Sequence, residues 1–398
     1  MKVTAVNCHV LLDPGYDVEA TSSNQDTIVV ELETDEGLTG IGETDLNAWI
    51  ARACIEAPGT HTMDRGLGAM LIGMDPTEPE KCWDELYVGT AMTGRRGALV
   101  HALGAVDMAL WDIAGKAAGV PVWQLLGERR PEGRLVPYAS LLPNAGSDWE
   151  VFADALGGQA IDASRRGFRA AKLELLTRGP YRHTGLGVPD DKLVEVIAAV
   201  RQAAGPEFAI MVDVAYAWDD WRDALAVIET WVEHDLFFVE TPLWSDDLDG
   251  YAELVRHSPV PIAAGEWLAT RFEFQAYTER GALDVLQPDV GRVGGLTEAR
   301  RVAELAAAHD LKVVPHGWKT GITVAATAHL AAITPQLPFF EFVPPDLAES
   351  RLRRELVTDE LALGGDGTLA LPERPGLGIE LNRDALEEFG DAAARLVD

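Results

Sequence analysis

The chain has 398 residues, 47% of them hydrophobic and 24% charged, with a formal net charge of −31. That composition packs a core and excludes wholesale disorder. At roughly 150 residues per domain it allows two or three domains, or a barrel with one companion. The acid excess argues against nucleic-acid or membrane-surface binding, because such a surface repels phosphates and anionic lipid. If the substrate is an anion, cations must be concentrated locally at its site. Cys8, Cys54 and Cys82 are odd in number and form no CxxC pair, so neither a disulfide framework nor a zinc knuckle is indicated and a reducing cytoplasm fits. The opening MKVTAVNCHVLLDPGYD lacks a signal-peptide pattern, and charge interrupts every long apolar run, so no membrane span is expected.

Taken in order, residues 2–12 and 25–33 read as strands, and Asp35-Glu36-Gly37 turns the second into LTGIGE as a hairpin. The polar stretch 13–24 between the strands is long for a plain connection and has the character of a lid. Helical patterns follow at 77–88 and 95–119. The second is apolar on most faces, as a buried helix would be, and Gly119 and Pro121 end it. Residues 1–128 thus form a small α+β capping domain. From there to 345 the texture alternates. Strand-like runs at 135–142, 168–176, 208–216, 236–243, 260–268, 283–290, 311–318 and 337–343 are separated by amphipathic helices such as 190–205 and 296–310. Eight apolar runs divided by helices predict a (β/α)8 barrel of the TIM type. The rival, an open doubly wound sheet, normally carries a glycine fingerprint after its first strand, and none is present. Residues 346–398 are expected to pack back on the capping domain.

Asp213, Glu240, Glu266, Asp289, His316 and Glu341 fall at or near the ends of strands three to eight, spaced by 23 to 27 residues. One β/α unit is about that long, so the spacing sets the six on one rim, and the C-terminal rim is where barrel active sites lie. Asp213, Glu240 and Glu266, on adjacent strands, would repel unless a cation sat between them. Carboxylates with open water positions suit Mg2+, one per subunit, whereas zinc recruits His or Cys. Any one of these acids alone reads equally as a helix cap or an ion-pair partner; three in register do not. An Asp beside a His holds one imidazole tautomer and raises the basicity of the other nitrogen, which makes His316 with Asp289 a candidate general base. Lys172, inside the apolar run FRAAKLELL, needs a partner. It suits a substrate carboxylate, a base role, or an ion pair with Glu174 or Asp213. Arg292 and Lys319 lie just beyond the dyad. Tryptophans 218, 244, 267 and 318 stand near strand ends, where they shape a pocket or pack. His183, in the loop after the second strand, is a candidate substrate contact, as are Glu174, Arg292, Trp318 and Tyr16.

The segments ALGAVDMALWDIAGKAAGVPVWQLLG (102–127), AAKLE (170–174), MVDV (211–214), VETP (239–242), AAGE (263–266), QPDVGRVGG (287–295) and VVPHGW (313–318) together resemble the enolase superfamily, in the subgroup of mandelate racemase and the sugar-acid dehydratases. The resemblance spans nearly the whole chain. It implies that Asp213, Glu240 and Glu266 bind Mg2+, that Asp289 and His316 are the acid/base dyad, and that Glu341 hydrogen-bonds the substrate. It also implies that residues near 13–24 and 44–62 close over the site and choose the substrate, and that the chain assembles into a dimer, tetramer or octamer. One departure stands out. The racemase-like pattern at the second strand is Lys-x-Lys, whereas here it is Lys172-Leu173-Glu174. Two-base racemisation is therefore in doubt, as in rhamnonate-dehydratase-like members.

What the resemblance implies chemically is removal of a proton α to a carboxylate, with Mg2+ offsetting the enediolate charge. For a sugar acid, loss of the β-hydroxyl then gives a 2-keto-3-deoxy acid. The leading expectation is an Mg2+-dependent acid-sugar dehydratase acting on a small carboxylate. The alternatives are an epimerase or racemase, a cycloisomerase of a sugar acid or lactone, and a catalytically inactive barrel that only binds such an acid.

Overall fold

The computed structural model describes residues 1–20, 22–128, 133–143, 148–182, 186–348 and 350–397. Strands β1 (Val3–Leu12), β2 (Asp26–Thr34) and β3 (Thr39–Thr44) make an antiparallel sheet in that order. The β2–β3 turn uses Gly37 at φ +80°, a conformation open to glycine at little cost. Helices α1 (Ala48–Glu56), α2 (Leu67–Leu71) and α4 (Ala98–Ala118) pack on this sheet, and α3 (Pro79–Gly89) packs on α2 and α4. The sequence reading missed α1, although Asn47 carries its signal: the side chain accepts from the Ile50 amide as an N-cap. Helix α4 is long and apolar enough to cross a membrane by length and composition. Here it is the core helix between cap and barrel, with Ala102 to Gly115 buried without a break.

After α5 (Trp123–Leu126) and the short β4 (Arg134–Leu135), eight strands follow: β5 (Pro137–Leu141), β6 (Ala170–Glu174), β7 (Ala209–Asp213), β8 (Leu236–Glu240), β9 (Ile262–Ala264), β10 (Val285–Leu286), β11 (Lys312–Val313) and β12 (Phe340–Phe342). They pair in parallel in chain order, and β12 returns to pair with β5. The Glu341 amide donates to the Pro315 carbonyl (3.4 Å), which ties β12 to the end of β11 and closes the ring. Between the strands run α6 (Trp149–Arg165), α7 (Leu193–Ala204), α8 (Trp221–Ile228), α9 (Leu248–His257), α10 (Thr270–Arg280), α11 (Gly295–Ala308) and α12 (Gly321–Ile333). This is the expected TIM-type barrel with an N-terminal cap, modified at its end. Among the described residues no long helix comes directly after β12. A short α13 (Arg351–Glu355) leads through β13 (Val357–Thr358), β14 (Leu369–Ala370) and β15 (Glu380–Leu381) to α14 (Arg383–Val397). β14 pairs with β4 and β13 with β15. Helix α14 packs on β1, and its Arg383 grips Glu31 of the neighbouring β2 bidentately at 2.7 and 3.0 Å.

Cap and barrel meet through close backbone approach. A Cβ on Gly295, whose φ is +91°, would lie 2.3 Å from Asp107 Oδ2 of α4. That Asp107 accepts from the Thr297 amide (2.9 Å) and hydroxyl (2.6 Å) at the start of α11. Burial pushes its pKa up to about 7, although the two bonds from Thr297 favour the ionised form. The Gly294-Gly295 pair therefore serves packing between cap and barrel. Likewise the buried Glu43 of β3 accepts from the Thr320 and Thr323 amides, capping α12 from another domain.

Candidate active site

Asp213 and Glu240 close β7 and β8 and stand opposite each other in the ladder, and Glu174 pairs with Asp213 in the same way. The next three rim residues lie beyond shorter strands than the sequence suggested. Glu266 follows Gly265 (φ +129°), Asp289 follows Pro288 and His316 follows Pro315. The strands end at Ala264, Leu286 and Val313, and a glycine in that conformation or a proline without an N–H does not extend the ladder to the rim residue. The following residue leaves the sheet and its side chain turns to the mouth. Strained backbone marks the same rim: Ala215 and Tyr216 after β7 and Thr241 after β8 take φ of +41°, +62° and +47°. Such residues persist only where their surroundings fix them. Here Asp213 Oδ1 accepts from the Ala215 amide (2.9 Å) and the Thr241 hydroxyl (2.8 Å).

Lys172 is the hub. Its Nζ lies 2.9 Å from Glu240 and from Glu341, and 3.4 Å from Glu174 and from Asp213. Burial opposes its charge, but Glu174, Glu240 and Glu341 outweigh that and hold its pKa well above the ordinary value. Burial pushes Glu240 and Glu174 well above the usual carboxylate range, with Asp213 and Glu341 adding to the effect and Lys172 resisting it. Glu341, also buried, is instead drawn down to about 2 by Lys172 and His316. Its other oxygen accepts from the Gly317 amide (2.8 Å).

His316 Nδ1 meets Asp289 Oδ2 at 2.6 Å. Asp289 Oδ1 is fixed by the amides of Gly291 (2.7 Å) and Arg292 (3.0 Å). Asp289 is thus held on both sides, and the other ring nitrogen of His316, Nε2, lies 3.3 Å from Glu266 and 3.9 Å from Glu341. Burial resists protonation of His316, but Glu341 and the Asp289 bond prevail and raise its pKa.

These groups border a cavity of about 620 Å³ between cap and barrel, the usual size for a small-molecule site. Lys172, Glu174, Asp213, Glu266, Arg292, His316 and Trp318 line it, while Glu240, Asp289 and Glu341 stand behind that layer. Arg292 is engaged within the protein, with Asp45 of the cap and with Glu266 (3.3 Å). Trp318 donates to Ser22 of the 13–24 loop (3.1 Å). Tyr16 is not brought to the cavity. Its loop is closed on itself by mutual bonds between Asp17 and Gln25, which leaves the Tyr16 ring half-exposed outside the lining. His183 lies outside the described residues. The sequence reading missed Asp45, His101, Tyr181 and Tyr216. Asp45 is buried between Arg292 and Lys319 (3.2 Å); burial opposes its charge, yet the two cations bring its pKa down to about 2. Only a chain position next to the β3 end could have pointed to it.

The donor chemistry suits a hard divalent ion. Glu174, Asp213, Glu240, Glu266 and Glu341 offer oxygen only, and their charge exceeds that of Lys172 and Arg292. The acids are not gathered on one point as placed. Among the described residues no three His, Cys, Asp or Glu side chains are grouped as metal ligands. The Lys172 ammonium takes Asp213 and Glu240, while Glu266 turns to Tyr216 (2.9 Å), Arg292 and His316.

Comparison with known proteins fits this geometry. Residues 2–127 match the model of the mandelate racemase/muconate lactonizing enzyme N-terminal domain, and residues 156–385 match the enolase C-terminal domain-like model. The chain belongs to the mandelate racemase/muconate lactonizing enzyme family of the enolase superfamily. Within this family it is 34% identical to D-galactarolactone cycloisomerase of Agrobacterium fabrum, over 98% of this chain and 99% of that one. It is 32% identical to L-rhamnonate dehydratase of Saccharopolyspora erythraea, over 89% and 83%. A racemase from Streptomyces coelicolor A3(2), solved with bound magnesium, superposes with a TM-score of 0.80 at 28% identity, covering 97% of this chain and 99% of the other. The family is one of enzymes, and these relatives include both a lyase and isomerases.

Proposed function

We propose that this enzyme eliminates an oxygen leaving group from the carbon β to the carboxylate of a sugar acid. The supporting observation is the His316–Asp289 dyad at 2.6 Å, facing a second strand that presents Glu174 where a two-base enzyme has a lysine. His316 Nε2 takes the α-proton. The freed pair forms the Cα–Cβ double bond, and the β C–O bond breaks with its electrons going to oxygen. Protonated His316 returns a proton to that oxygen where it leaves on the same face. The enol then tautomerises to a 2-keto-3-deoxy acid. A hydroxyl leaving as water makes the enzyme a dehydratase; a ring oxygen makes it a cycloisomerase, and relatives of both kinds exist.

Mg2+ held by Asp213, Glu240 and Glu266 would supply positive charge where the substrate carboxylate gains electron density. Lys172 would position that carboxylate, itself held from behind by Glu341 (2.9 Å), and the cap lies over the cavity. In deuterated buffer with Mg2+ and a panel of sugar acids and lactones, the product is expected to carry one solvent deuterium at carbon 3. The His316→Asn enzyme should lose at least 1,000-fold in kcat, on the scale of a general base and its orientation. Exchange at the α-carbon without C–O cleavage, or an active His316→Asn enzyme, would overturn the reading.

A further inference from the structure

Asp213, Glu240 and Glu266 each have one oxygen tied down by a neutral donor and one facing a basic side chain. Asp213 Oδ1 accepts from the Ala215 amide (2.9 Å) and the Thr241 hydroxyl (2.8 Å). Glu240 Oε2 accepts from the Gln287 side-chain amide at 2.6 Å, and Glu266 Oε1 from the Tyr216 hydroxyl at 2.9 Å. The opposite oxygens look elsewhere. Asp213 Oδ2 and Glu240 Oε1 share the Lys172 ammonium, at 3.4 and 2.9 Å. Glu266 Oε2 lies 3.3 Å from both Arg292 and His316.

An incoming ion meets these two sets differently. A divalent cation repels an ammonium or guanidinium and competes for the oxygen it holds. A neutral hydroxyl or amide is not repelled, and breaking its bond would leave a buried donor unsatisfied. Gln287 and Glu240 are fully buried, and Thr241 and Tyr216 nearly so. The backbone reinforces the division. Ala215, Tyr216 and Thr241, which supply three of the four neutral donors, all take left-handed φ, at +41°, +62° and +47°. Such conformations persist only where neighbours fix them, and here their donors end on carboxylate oxygens.

Resting on the reading that Asp213, Glu240 and Glu266 hold the ion, we propose that Thr241, Gln287 and Tyr216 select it. By keeping one oxygen of each carboxylate occupied, they limit each acid to a single bond. Three single oxygens leave half of an octahedron for water and substrate, which suits Mg2+. Ca2+ takes about six to eight oxygens and gains from carboxylates that give both of theirs, which this site withholds. The three are positioning residues, since each acts through a carboxylate.

Titration calorimetry of the metal-free full chain with MgCl2, and separately with CaCl2, gives two dissociation constants and their ratio. The parent enzyme is expected to favour Mg2+. Gln287→Met and Thr241→Val each remove a donor at nearly constant volume, and Tyr216→Phe removes only the hydroxyl. Each should weaken Mg2+ binding by about 10- to 100-fold, the usual effect of losing a partner of a metal ligand. Ca2+ should lose far less or bind more tightly, so the preference falls by at least about tenfold. Thr241→Ser keeps the hydroxyl and should keep the parent ratio, whereas lost packing alone would lower it too. The substitutions follow different strands, so if one variant fails to fold the other two decide. Equal losses for both ions, or a Mg2+ preference that survives the substitutions, would overturn the inference and leave the ion site in place. Binding of neither ion by the parent enzyme would sink the ion site itself, and the inference with it.

Discussion

Lys172 carries one positive charge among four carboxylates, at 2.9 to 3.4 Å, with 1% of its side chain exposed. Removing it leaves buried anions without their counter-ion, which typically costs about 3–5 kcal/mol. Lys172→Met should therefore unfold at a clearly lower temperature in metal-free buffer. Millimolar Mg2+ should restore part of the loss by binding the native state alone. The pair of melting curves, with and without Mg2+, checks whether these carboxylates form a cation site; curves that coincide would show that they do not. Much at this scale was legible in the sequence, because Asp213, Glu240, Glu266, Asp289, His316 and Glu341 recur at one β/α period. Asp45 and His101 were not. Arg292, a partner of Asp45, is 247 positions away, and His101 sits in a helix whose pattern speaks only of burial. Chain spacing reports neighbours along a repeat, not residues that a separate domain lowers onto it.

At the scale of elements, two contacts decide how the layers hold. Gly295→Ala puts a methyl 2.3 Å from the Asp107 carboxylate in a backbone conformation that L-residues avoid. It should cost about 2–4 kcal/mol, by denaturant titration, through overpacking plus strain. His329 of α12 joins α5 to the C-terminal segment: Nδ1 accepts from the Trp123 amide (3.1 Å), and Nε2 faces the Leu377 carbonyl (3.2 Å). Burial lowers its pKa to about 4, against an unfolded value near 6.5. Between those values the unfolded chain binds a proton that the native state refuses. Stability should accordingly fall as pH drops from about 6.5 to 4, by up to about 3 kcal/mol from this residue. His329→Gln should flatten that part of the pH–stability curve. The strands themselves were readable as apolar runs, but their ends were not. In β9 to β11 the ladder stops at Ala264, Leu286 and Val313, four residues or more before the apolar pattern fades.

For the whole molecule, the question is what keeps the cap seated. Asp45 binds Arg292 and Lys319 of the barrel, Lys319 also reaches the Asp26 carbonyl (2.6 Å), and Glu43 caps α12. Asp45→Asn should loosen this seating. The expected result is faster amide hydrogen exchange across residues 13–26 and a KM increase of about tenfold or more, with the barrel strands still protected; unchanged exchange there would dismiss Asp45 as a latch.

Helix α14 carries a further consequence. It is synthesised after the whole barrel, yet its Phe389 shares a core with Leu11 of β1, which is made before the barrel. During translation the amino-terminal sheet must therefore wait, with one flank bare, while the entire barrel emerges. Stalled or nicked chains lacking the last turns should present that flank to chaperones even where the barrel has already closed.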